Sequence, residues 1–162
     1  PKSNLKLGSG IAPLPACLKA GVRVALGTDG AASNNRLDIW DELRFAALTQ
    51  KGIVKDPTLV ASVEAFRMAT VNGAIGLGFR NVGLIREGYR ADMILIDLDR
   101  PHYVGWDSEN LPGFLVYAGS SSDVRGTVVA GKMLYKDGDF VFTDRERIIT
   151  EATEARRKLT GR

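Results

Sequence analysis

The sequence predicts an α/β fold that passes into a β-rich segment and closes on a helix. Three observations carry the prediction. Residues 12–27 read as helix, glycine, apolar strand, the αβ step from which α/β folds are assembled. After Gly83 the texture changes to short β runs separated by turn pairs such as Glu87-Gly88 and Asp137-Gly138. Residues 143–159 return to a helical period. The predicted organisation is an α/β segment over 1–82, a β-rich segment over 83–140 and a terminal helix within 141–162.

Local chemistry justifies each element in turn. "APLPACLKAG" (12–21) has prolines where a helix start loses nothing by a missing N–H, and Gly21 where it ends. "VRVALG" (22–27) is β-branched and apolar, as a strand buried on both faces should be. In "LDIWDELRFAALTQKG" (37–52), Leu37, Trp40, Leu43 and Leu48 make an apolar face, with Asp41, Glu42 and Arg44 turned outward and Gly52 at the end. Asp38 and Asp41 in its early turns suit the helix dipole. Residues 56–79 predict a helix capped by Asp56 with Pro57 in its first turn, interrupted at Asn72-Gly73 and followed by a second short helix to Leu77. Residues 83–99 predict a short strand, a turn at Glu87-Gly88 and a second strand from Ala91. Residues 124–140 predict two β runs about Ala130-Gly131-Lys132 and a turn at Asp137-Gly138. Thr143, with Glu146 three residues on, predicts a capping box for the last helix, whose apolar side is Ile148, Ile149, Ala152, Ala155 and Leu159.

Only one strand is predicted in the α/β segment, and a parallel sheet cannot consist of one strand. The chain also opens at Pro1 without an initiator Met, so it reads as a piece of something longer, with its partner strands elsewhere.

Composition narrows the function classes. The 162 residues are 44% hydrophobic and 25% charged with a net charge of +3, ordinary for a globular protein and without the basic stripe or aromatic platform that nucleic-acid binding needs. No apolar run approaches the roughly 18 residues that span a bilayer, so no membrane partner is expected. A single cysteine, Cys17, excludes an internal disulfide framework, fits a reducing cytoplasm and reads as a core residue of the predicted helix. His102 is the only histidine, so the chain cannot assemble a complete metal site by itself. The glycine-rich stretches 7–13 and 27–33 match neither the P-loop nor the dinucleotide fingerprint.

Asp29 is the candidate site residue, and it admits two readings. Asp-Gly is a strong turn pair, and aspartate bonds its own backbone readily. Yet a carboxylate just beyond the C-terminal end of a buried parallel strand stands where α/β folds keep their active sites, and there it can serve as a metal ligand. Ser33-Asn34-Asn35 read as N-cap groups for the next helix or as polar lining of a pocket.

The blocks "PKSNLKLGSGIAPL", "GVRVALGTDGAASNN", "MATVNGAIGLG", "ADMILIDLD" and "VVAGK" resemble, in this order, the C-terminal part of the amidohydrolase superfamily. The similarity is greatest to its branch of 5′-methylthioadenosine/S-adenosylhomocysteine deaminases, with their chlorohydrolase and guanine deaminase relatives. It implies a (β/α)8 (TIM) barrel with a small β-sandwich domain. On that template 22–27 resembles the eighth barrel strand, 37–50 the eighth helix and 84–136 the C-terminal share of the sandwich. Residues 1–82 would then be the end of the barrel.

The resemblance implies a metal-dependent hydrolase that deaminates an adenosine-type nucleoside. Asp29 falls on the strand-8 aspartate, which binds the catalytic zinc or other divalent metal and shuttles a proton. The remaining ligands, an H-x-H pair and two further histidines, would lie upstream, and the substrate-binding residues stay unknown. The chain alone is expected to be inactive and not to retain metal, its partner being the missing N-terminal barrel part or another copy of itself. Two alternatives stand beside this: an amidohydrolase acting on guanine, a pyrimidine or a triazine, and a non-catalytic assembly module.

Overall fold

The computed structural model describes residues 1–161. Its first elements are α1 (Lys2–Leu7), α2 (Leu14–Lys19), α3 (Ala31–Asn34), α4 (Ile39–Val54), α5 (Ser62–Ala69) and α6 (Val71–Gly76). Then come β1 (Met93–Ile96), α7 (Leu111–Tyr117), β2 (Val124–Val129), β3 (Lys132–Lys136), β4 (Asp139–Phe140) and α8 (Arg145–Thr160). They form two compact units, one of residues 1–89 with 98–123, the other of residues 90–97 with those from 124 on.

The first unit is helical and built on α4. Trp40, Leu43, Ala46 and Ala47 are buried along one side of it, with Ala65 and Met68 of α5 and Leu115 and Val116 of α7. The Trp40 and Phe66 rings meet edge to face at 6.5 Å. Polar contacts lock the helices at α4. Trp40 Nε1 donates to the Leu115 carbonyl at 2.6 Å, and Arg44 donates to the carbonyls of Val116 and Gly119. A Cβ at Gly119 would come within 2.5 Å of the Tyr103 hydroxyl and 2.7 Å of the Leu115 carbonyl, so only glycine lets the chain pass there.

Several boundaries differ from those predicted. Residues 22–27 form no strand, because a strand needs a ladder and no described residue supplies one. Instead Leu26 N–H donates to the Met68 carbonyl at 3.1 Å, and the Val24 carbonyl accepts from Asn72 Nδ2 at 2.8 Å. α4 continues through Gly52 to Val54 and ends at Lys55, which takes the left-handed conformation at φ 59°. Asp56 caps no helix. Its Oδ1 accepts from the Thr58 N–H and hydroxyl in a local turn, and α5 begins at Ser62. The break between α5 and α6 falls at Thr70, leaving Asn72-Gly73 inside α6. α1, α3 and α7 were not expected, all being short and without a long apolar period.

The second unit is a four-stranded antiparallel sheet in the order β1-β2-β3-β4, followed by α8. The segment 83–86 is not a strand, and β1 pairs only with β2, Met93 lying opposite Val128. The predicted turns are present: Ala130-Gly131 and Asp137-Gly138 both take positive φ at both residues, as tight hairpins with right-handed twist require. Asp144, not Thr143, caps α8, accepting from Glu146 N–H at 2.8 Å. No described residue of α8 is buried, and Ile148, Ile149 and Leu159 stay exposed. The amphipathic pattern specified the helix but not a surface to cover it.

Asp123, 1% exposed, closes the first unit around a buried charge. Its Oδ2 accepts from Ser120 N–H at 2.8 Å and the Tyr103 hydroxyl at 3.0 Å, and His102 Nε2 lies at 3.1 Å. Burial pushes this carboxyl upward, but the Ser120, His102 and Tyr103 bonds outweigh it and hold Asp123 below the ordinary aspartate value. Its stabilising contribution is therefore complete above the unfolded value of about 4 and drains away as pH falls through the lower folded value. Asp123→Asn is expected to cost about 1–3 kcal/mol near neutral pH and progressively less in acid. Urea midpoints measured at both pH values check this, and a loss independent of pH would refute it.

Candidate active site

The loop between residue 26 and α4 is shaped around Asp29, an exposed non-glycine residue at φ 62°. That left-handed conformation costs a residue with a Cβ roughly 1 kcal/mol, so its surroundings must hold it there. Gly30 N–H donates to Asp29 Oδ1 at 2.7 Å, and Ser33 Oγ donates to Oδ2 at 2.7 Å. The single Ser33 proton is shared, since the Gly30 carbonyl also lies 2.9 Å from that hydroxyl. The Ser33 hydroxyl first, then the Gly30 N–H, hold the Asp29 carboxyl below its usual range, so it stands ionised at neutral pH. A Cβ at Gly27 would meet nothing within 4 Å.

Beneath this exposed turn lies a buried polar network. Asn34, 1% exposed, donates both amide hydrogens, to the Thr28 carbonyl at 2.5 Å and to Glu42 Oε1 at 2.6 Å. Glu42, also 1% exposed, accepts at its other oxygen from Lys2 N–H at 3.0 Å. Ser3 Oγ gives the Thr28 carbonyl a second donor at 3.3 Å. Asn34 Oδ1 is buried with no partner, a cost of about 1–3 kcal/mol. The opposite amide orientation would be worse, setting an oxygen against two acceptors.

These positions correct two expectations. Glu42 does not face outward. It is inside because its two oxygens each meet a donor, which offsets the desolvation of the carboxylate. Ser33-Asn34-Asn35 do not cap the following helix. That role falls to Asp38, which accepts from Trp40 N–H at 2.9 Å and from the Ser121 hydroxyl at 2.6 Å. The triplet instead forms the end of α3 and its left-handed cap at Asn35. A signal for Glu42 was present in the sequence: Glu42, Ala46 and Gln50 recur every four residues beside the apolar stripe, and all three are buried.

The other candidates lie apart from Asp29. Cys17 is a free, half-buried thiol on α2. His102 is taken up by Asp123. An apolar groove of about 230 Å³ runs along Leu5, Ile11, Leu14, Val24 and Leu26, but Asp29 does not line it. No group of three or more His, Cys, Asp and Glu side chains able to hold a metal occurs among the described residues. An exposed, ionised carboxylate suits one position around a hard or borderline divalent cation, so Asp29 fits as a single ligand and not as a set.

Comparison with known proteins places this mixed helix-and-sheet chain in a family. A model of the amidohydrolase family matches residues 1–134, and the chain belongs to that family. It is 49% identical to the 5-methylthioadenosine/S-adenosylhomocysteine deaminase of Dictyoglomus thermophilum over 152 residues, 94% of this chain and 35% of that protein. It is 43% identical to the 5′-deoxyadenosine deaminase of Methanosarcina mazei, covering 100% of this chain and 37% of that one. A zinc-bound adenosine deaminase structure from Xanthomonas campestris superposes with a TM-score of 0.93 at 34% identity, over 100% of this chain and 37% of its own. Zinc-complexed atrazine chlorohydrolase from Arthrobacter aurescens gives 0.83 at 33% identity, over 94% and 34%. The chain thus spans about a third of the length of the relatives it matches. No helix among the described residues is long and apolar enough to cross a membrane.

Ser33→Ala removes the largest influence lowering the Asp29 pKa, so that pKa is expected to rise toward the ordinary aspartate range. Carboxyl-carbon NMR titration of the metal-free protein reads this directly. An unchanged Asp29 titration would show that the hydroxyl does not hold the carboxylate.

Proposed function

We propose that this chain is the C-terminal part of a metal-dependent aminohydrolase that deaminates an adenosine-type nucleoside, with Asp29 as metal ligand and proton carrier. The observation that carries the proposal is the presentation of Asp29. One ionised carboxylate is held out on a braced turn at the end of an apolar segment, in a chain whose relatives are named as adenosine-type deaminases. In this reading residues 22–27 are the eighth strand of a (β/α)8 barrel, completed by strands from the rest of the polypeptide. The exposed apolar side chain of Val22 and the groove along Val24 and Leu26 support it, since such surface normally has a cover. A cytoplasmic location accords with the single free thiol.

A divalent metal bound in the complete site supplies a water whose pKa falls toward about 7. Asp29 accepts the proton of the water attacking the ring carbon that bears the amino group, then returns it to the departing nitrogen as ammonia leaves. Asp29 would hold the cation as one carboxylate ligand, its oxygens oriented by the Gly30 N–H and the Ser33 hydroxyl. Gly27 and Gly30 leave room for a planar ring to approach. The groups that read the purine are expected on the upstream part of the polypeptide. A different ring remains the second reading, favoured by the similarity to atrazine chlorohydrolase.

Asp29→Ala in the full-length gene product is expected to abolish turnover of methylthioadenosine and adenosylhomocysteine and to lower the zinc content. Near-normal activity in that variant would return Asp29 to a turn role. Turnover of guanine or a triazine alone would exclude the adenosine-type substrate. The isolated 162-residue chain is expected to be inactive and to hold far less than one zinc.

A further inference from the structure

We infer that Glu42 and Asn34 are positioning residues for the Asp29 carboxylate, acting through the Thr28 carbonyl. The inference rests on the ligand reading of Asp29 and extends it to two side chains that act only through the backbone. Asp29 holds a backbone conformation that few side-chain-bearing residues adopt, on a turn open to solvent. The bonds made by its own carboxylate, to Gly30 and Ser33, are exposed and compete with water. They orient the carboxylate within the turn, and its link to the Ser3 hydroxyl of α1 is the weakest of the influences on it, so the turn needs a stronger tie to the protein.

That tie is made one residue earlier. The Thr28 carbonyl receives Asn34 Nδ2 at 2.5 Å and the Ser3 hydroxyl at 3.3 Å. The second hydrogen of the same Asn34 amide goes to Glu42 Oε1 at 2.6 Å, and Glu42 belongs to the first turn of α4. The path from the core helix to Asp29 therefore consists of two short bonds made by one buried amide. Buried bonds of this kind are stronger than their exposed counterparts and leave the group no alternative partner. The unpartnered Asn34 Oδ1 agrees with this assignment. Asn34 keeps an orientation that strands one atom, because that orientation alone serves both Thr28 and Glu42.

The acceptor chemistry makes Glu42 specific. Its two oxygens both accept, one from Asn34 and one from Lys2 N–H. Glutamine has the same shape but only one acceptor, so Glu42→Gln must set an amide N–H against one of those two donors. The bond to Asn34 or the bond to Lys2 is lost with little change of volume. Outer partners that orient metal ligands typically contribute about 10–100-fold to metal affinity.

The test uses Glu42→Ala and Asn34→Ala in the full-length gene product, with three readouts: zinc affinity by competition with a chromophoric chelator, hydrogen–deuterium exchange of the peptide over 27–35, and kcat against KM. The expected result is zinc affinity lowered about tenfold or more, faster exchange confined to 27–35, and a fall in kcat with KM nearly unchanged. Should Asn34→Ala fail to fold, Glu42→Ala carries the test, because it leaves Asn34 without its acceptor whereas Glu42→Gln can keep that bond by giving up the one to Lys2. Exchange raised evenly across 1–89, with zinc affinity and kcat unchanged, would overturn the inference and leave the pair as fold support only. The two readings fail separately. Zinc retained by Asp29→Ala removes the ligand role, while exchange over 27–35 in Glu42→Ala still decides whether Glu42 holds the turn.

Discussion

A carboxylate taken out of water costs several kcal/mol unless donors meet its lone pairs. Glu42 is such a group, 1% exposed on the first turn of α4. The Asn34 amide and the Lys2 N–H meet it from two other parts of the chain. Satisfying that one buried charge draws α1, α3 and the turn at Thr28-Asp29 onto the same end of α4. A helix that merely buried Trp40 and Leu43 would need none of them. The position of the candidate site thus follows from the need to pair Glu42.

α4 works on two sides. Its apolar side, with Trp40, Leu43, Ala46 and Ala47, packs with α5 and α7 and supplies hydrophobic stabilisation. Its N-terminal end is polar, with Asp38 bonded to Ser121 and Glu42 bonded to Asn34. The first side makes the helix rigid, and the second transmits that rigidity to a turn that has little packing of its own. Functional groups on loops are commonly held by a rigid scaffold in this way. Another buried carboxylate, Asp123, gathers Tyr103, His102 and Ser120 by the same logic.

Much of this was legible in the residues. The helices at α2, α4 and α8 and the two tight hairpin turns followed from spacing, glycine placement and turn pairs. Asp29 stood out because one acid ended an apolar run. What was missed has a common cause. The strand predicted over 22–27 has the right composition, but a ladder is a property of two segments. Asp56-Pro57 is a sound helix start by local chemistry, yet Thr58 drew Asp56 into a turn. Glu42 read as outward because charged residues usually are, although its four-residue spacing to Ala46 and Gln50 placed it beside the core.

The sequence by itself determined the mixture of helix and sheet, the hairpin turns and the single acid at the end of the apolar run. These depend on interactions within a few residues, where φ restriction, capping and side-chain period act. Only the tertiary structure decided that Asp29 sits in a left-handed turn braced by Ser33, and that Asn34 and Glu42 lie buried beneath it. Those facts depend on donors and acceptors brought together from Lys2, Thr28, Asn34 and Glu42. Hydrogen-bond complementarity between distant segments leaves no period in the chain to read.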